Sequence, residues 1–65
     1  MQFAVEKMTC GHCVRAITGA LQRLDPHARV SVDLSQGTVE AHGDFSPADA
    51  VTAMAAEGYP ATEQL

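Results

Sequence analysis

Cys10-Gly11-His12-Cys13, preceded by Met8-Thr9, is the stretch of this chain whose residue types demand chemistry rather than packing. It contains the only two cysteines of the sequence, three positions apart and early in a short chain. Two thiolates at that spacing can grip one soft metal ion or close one small disulfide ring. The rest of the sequence is then the frame that must hold the pair in place.

That frame is small. Sixty-five residues make a single domain, 1–65, and a chain of this size buries only about 60% of the surface its unfolded form exposes. A hydrophobic content of 46% is that of an ordinary globular protein, without low-complexity segments. The net charge of −4 and the pI near 5.0 argue against a nucleic-acid partner, because no basic stripe is present. Two cysteines cannot supply the disulfide framework of a secreted mini-domain. No apolar run approaches the roughly 18 residues that span a bilayer, so no membrane insertion is expected. The start, Met1-Gln2-Phe3-Ala4, shows neither the basic nor the apolar region of a signal peptide. The expectation is therefore a cytoplasmic protein with reduced thiols, free-standing because Met1 lies so near the first strand.

Periodicity lays out the elements. Residues Gln2 to Lys7 alternate, with Phe3 and Val5 on one side, and predict a strand. After the cysteine loop, Val14, Ile17, Leu21 and Leu24 recur at three- and four-residue steps as the apolar stripe of a helix. Asp25-Pro26 stops it, since the residue before proline is driven out of the helical region. Arg29 to Leu34 alternates with Val30, Val32 and Leu34 inward. Ser35-Gln36-Gly37 predicts a tight turn, and Thr38 to His42 returns with Val39 and Ala41 facing the core.

A second helix is marked by Ser46 as N-cap, Pro47 at the first helical position and Asp49 three residues after the cap. Ala50, Val51, Met54 and Ala55 are its expected buried face, and Gly58 its stop. Tyr59 to Thr62 remains as a short last strand, with Pro60 marking a sheet edge. The order is βαββαβ. It predicts an α+β, ferredoxin-like sandwich: a four-stranded antiparallel sheet with two helices on one face.

On that frame Cys10 falls in the loop after the first strand and Cys13 in the first turn of the first helix. The unpaired N–H groups and positive dipole end of a helix start favour anionic sulfur, lowering a cysteine's pKa. Thiolates are preferred ligands of Cu(I), a soft ion. Two sulfurs alone make an open site, which a third thiolate can enter before one of the first two leaves. No enzymatic bond-making is implied.

Met8-Thr9-Cys10-Gly11-His12-Cys13, followed by Val14-Arg15-Ala16-Ile17, resembles the M-x-C-x-x-C signature of the heavy-metal-associated domain family. That family includes small bacterial copper chaperones and the N-terminal domains of copper-exporting P-type ATPases. The likeness extends over the whole chain in length, element order, the turn at Gly37 and Glu57-Gly58-Tyr59-Pro60. It implies that Cys10 and Cys13 bind Cu(I), with the equally soft Ag(I) not distinguished. It also implies that Met8 tucks beneath the metal loop as a core residue and that Tyr59 faces the site. The implied partners are the metal-binding domain of a copper P-type ATPase and a copper-responsive regulator. The chain is expected to be a monomer, and copper-bridged pairing of two copies is left open. Lys7 departs from the pattern, because many members carry glycine there. It is expected to stiffen the loop and to add positive charge near the thiolates.

Rival readings use the same residues. Cys-Gly-His-Cys is also the motif of protein disulfide isomerases, but a thioredoxin-type domain needs roughly 100 residues and a tryptophan before its motif, and this chain has none. A closed zinc site needs four ligands. His12, His27 and His42 are not at finger-like spacing from the cysteines. Zinc carriers of the family tend to place an acidic residue where Thr9 stands, and periplasmic mercury carriers have signal peptides. His12, between the cysteines, is read as pointing to solvent, where it can tune the site or meet a partner. All acidic residues except Glu6 lie from Asp25 onward, whereas Lys7, Arg15 and Arg23 flank the motif or ride the first helix. That asymmetry suits docking against an acidic patch.

Overall fold

In the computed structural model, which describes residues 1–8 and 11–64, the elements come in the expected order. They are β1 (Gln2–Val5), α1 (Gly11–Leu24), β2 (Arg29–Asp33), β3 (Thr38–His42), α2 (Pro47–Ala56) and β4 (Ala61–Gln64). The strands form one antiparallel sheet in the order β2-β3-β1-β4. Phe3 lies opposite Val39, which in turn lies opposite Val32, while Val30 lies opposite Ala41. Because side chains alternate along a strand, this register puts all five on one face.

That face is the covered one. Phe3, Val39 and Ala41 are fully buried, and so are Ile17 and Leu21 of α1 and Ala50 and Met54 of α2. They form one core cluster. Gln2, Ser31, Glu40 and His42, on the opposite face, are exposed. Both helices therefore pack on the same side of the sheet, as the ferredoxin-like reading requires.

The second helix is built as its sequence says. Ser46 is extended, and its hydroxyl accepts the Asp49 N–H at 3.1 Å. At the other end Gly58 has φ +92°, its N–H donates to the Ala55 carbonyl at 2.9 Å, and the Tyr59 N–H donates to the Met54 carbonyl at 3.0 Å. This is the paired-bond cap that a left-handed glycine allows.

Several boundaries differ from expectation, each for a local reason. Leu34 is outside β2 and 39% exposed. The Asp33 carboxylate turns the chain there by accepting the Ser35 hydroxyl at 2.7 Å and the Ser35 and Gln36 N–H groups at 3.0 and 3.2 Å. β4 starts at Ala61 rather than Tyr59, because Tyr59 is spent on capping α2. The buried stripe of α1 is Cys13, Ile17, Ala20 and Leu21, which rotates the helix so that Val14 is only partly covered. Leu24, at the last helical position, is 40% exposed. Ala55 is likewise exposed, and Val51 partly so.

Away from the cysteine end, Asp25 ties two loops together. Its carboxylate accepts the Asp44 N–H at 2.8 Å and the His27 N–H at 3.0 Å. These bonds, the Asp44 one first, hold its pKa below the ordinary value. A depressed carboxylate pKa stabilises the fold at pH above the unfolded value of about 3.9, and this contribution fades as pH falls through the folded value. Asp25→Asn should therefore lower the melting temperature at neutral pH and make a shrinking difference on acidification. A pH series of thermal melts reads this directly; a deficit that stayed constant down to pH 2 would contradict it.

Candidate metal centre

β1 ends because its last residue and the one after it are each tied to a different loop. The Val5 N–H donates to the Gly37 carbonyl at 2.8 Å, and the Glu6 N–H donates to the Pro60 carbonyl at 2.9 Å. The β2–β3 turn and the α2–β4 connection are thus drawn to the same end of the sheet as the start of α1. Gly37 makes this approach feasible: its φ is +67°, and a Cβ there would lie 3.4 Å from the Val5 carbonyl oxygen.

The chain then turns sharply. Lys7 has φ +68° and is the only non-glycine residue in the left-handed region among the described residues. A side chain there costs roughly 1–2 kcal/mol relative to right-handed geometry. The expected strand to Lys7 is cut to Val5 for this reason. Lys7 itself is exposed, whereas Met8 returns to the core at 9% exposure.

Thr9 and Cys10, both expected at the site, lie outside the described residues. Gly11 and His12 open α1 and are exposed. Cys13 is the third residue of the helix and only 3% exposed, within the same core cluster as Met8, Val5 and Ile17. Its thiol donates to the Lys7 carbonyl across 3.8 Å. Cys13 stands in the first turn of a helix, where unpaired N–H groups favour negative charge. It is also shielded from water, so an anion there requires a cation beside it.

The remaining expected residues divide by position. Tyr59 is half-buried against the core cluster, in the connection that Pro60 ties to β1. Arg15 is exposed one half-turn beyond Cys13. Arg23 is ten residues along α1 from Cys13, about 15 Å by helix rise, and its guanidinium lies 3.8 Å from the Glu57 carboxylate. Lys7 and Arg15 are therefore the basic residues beside the motif, and Arg23 is not. Among the described residues no group of three or more His, Cys, Asp or Glu is placed to hold a metal. No helix among them is long and apolar enough to cross a membrane.

Nothing in the residue types marks the Lys7 carbonyl as a partner of Cys13, since a backbone acceptor leaves no trace there. The stitches from Val5 and Glu6 were similarly invisible, apart from the glycine that one of them needs.

The profile of the heavy-metal-associated domain matches residues 2–60. The chain belongs to the heavy-metal-associated domain family. Solved structures of homologues agree with the family fold over nearly the full length. The copper chaperone Atx1 from Synechocystis PCC6803 is 31% identical, with a TM-score of 0.92 over 95% of this chain and 98% of that one. A CopZ metallochaperone is 29% identical, with a TM-score of 0.86 over 95% and 97% of the two chains. A gold binding protein is 30% identical, with a TM-score of 0.92 over 98% of each. A sequence comparison with curated proteins gave no match. Within the heavy-metal-associated family, then, this chain is a homologue of copper chaperones with the same sheet order and helix placement.

Proposed function

We propose that this chain is a cytoplasmic Cu(I) carrier. It holds one ion through Cys10 and Cys13 and passes it to a metal-binding domain of a copper-exporting P-type ATPase. The observation that carries the reading is the seating of Cys13 in the first turn of α1, 3% exposed and packed with Met8. The homology to copper chaperones supports the same conclusion. The gold-binding homologue supports extending the cargo to other soft metal ions, Ag(I) included.

The ion is cargo, and its movement is ligand exchange. A thiolate of the partner adds to the two-sulfur site and one of the chain's own thiolates leaves; a second partner thiolate then adds and the chain's remaining thiolate leaves. Each step exchanges one metal–sulfur bond for another without oxidising either. Binding needs deprotonated sulfur, so loading should weaken as pH falls.

The test is transfer. The copper-loaded chain is mixed with the isolated, metal-free domain of such an ATPase, separated from it, and both are assayed for copper. Copper on the acceptor at a rate faster than its release to a chelator supports exchange. Equal rates would mean that the ion simply dissociates, and would overturn the handover.

The exposed Lys7 and Arg15 favour an acidic acceptor face, with charge acting on encounter rate more than on final affinity. Arg15→Glu should slow transfer several-fold at low salt, less at high salt, and leave Cu(I) affinity unchanged. Equal loss of both would count against the docking role.

A further inference from the structure

We infer that Lys7 is a positioning residue that acts through its backbone: its left-handed turn aims its carbonyl at Cys13 and so latches that thiol inward in the metal-free chain. Two neighbours hold the turn in place. Glu6, before it, is anchored by its N–H to the Pro60 carbonyl at 2.9 Å, and Met8, after it, is buried in the core. Between a tied residue and a buried one the chain has one residue in which to reverse, and φ +68° at Lys7 is the result. Strain of this kind persists only where the surroundings over-determine it. Its product is the 3.8 Å contact from the Cys13 thiol to the Lys7 carbonyl.

The latch accounts for the 3% exposure of Cys13. The sulfur is reached only when the Lys7 turn opens, so this turn sets the accessibility of Cys13. The latch is made by the Lys7 backbone carbonyl and not by its ammonium group. The inference concerns the metal-free chain and stands apart from the copper reading.

The test is the alkylation rate of Cys13 by iodoacetamide in the reduced, metal-free full chain, with peptide fragmentation assigning the label. Three variants separate backbone from charge. Lys7→Gly keeps the left-handed turn and removes its strain, so Cys13 should label about threefold more slowly. Lys7→Gln removes the charge alone and should label at the native rate. Lys7→Val resists the turn and should label several-fold faster. Labelling in low denaturant keeps local and global opening apart, because a local opening is insensitive to it and global unfolding is not. A denaturant-independent increase for valine, with glutamine native-like, supports the latch. A glutamine variant that changes as much as glycine would assign the effect to charge. A valine variant that labels at the native rate, or faster only through global unfolding, would also overturn it.

Discussion

Phe3→Ala is expected to remove roughly a third or more of the domain's stability. Phe3 is fully buried in β1, a central strand between β3 and β4. It belongs to the core cluster shared by the sheet and both helices. Truncating a buried phenylalanine costs about 3–5 kcal/mol, from lost transfer energy and the cavity left behind. A domain of this length has a total stability on the order of 3–10 kcal/mol. The midpoint of thermal unfolding, followed by circular dichroism, should fall by at least about 12 °C. Leu24→Ala is the matched control: Leu24 is 40% exposed, and its loss should shift the midpoint by only a few degrees. Similar shifts for the two variants would mean that the core is not where the burial places it.

Cys13→Ser should retain the fold and lose most of its hold on Cu(I). The serine hydroxyl is somewhat smaller than the thiol and can donate to the same Lys7 carbonyl, so its burial need not leave it unpaired. Yet the hydroxyl oxygen is a hard, poor ligand for a soft monovalent ion. Outer-shell changes around metals typically cost about 10–100-fold in affinity, and removal of a direct ligand should exceed that range. His12→Ala, which alters an exposed ring between the cysteines, should stay within or below it. Competition against a chelator of known affinity measures both. Equal losses for the two variants would make His12 a ligand on a par with Cys13.

Much of this architecture is legible in the residues. The alternation of Phe3 and Val5, the hairpin at Gly37 and the Ser46-Pro47 helix start each carry a local signal that the tertiary structure obeys. The element order follows from these signals alone. What the residues hid were features decided by partners distant in sequence. Nothing near Leu34 announces that Asp33 will curl the chain and expose it. The helix stripe was read through Val14 and Leu24 because cysteine and alanine give weak hydrophobic signals. The structure buries Cys13 and Ala20 instead. Of the site, the cysteine pair stands out by residue type and spacing, and the burial of Met8 is what the family resemblance implied. The Lys7 turn was not legible, because its cause is a pair of anchors, one at Pro60 and one in the core. Arg23 was grouped with the motif by sequence proximity, yet helix rise carries it away to Glu57.

The most direct measurement is a Cu(I) titration of the reduced chain in the presence of a chelator, with thiol alkylation followed in the same samples by mass spectrometry. The account predicts that one equivalent of copper moves from the chelator to the protein and that Cys10 and Cys13 become protected together as it binds. Copper left with the chelator, or bound while both thiols stay open to alkylation, would contradict it.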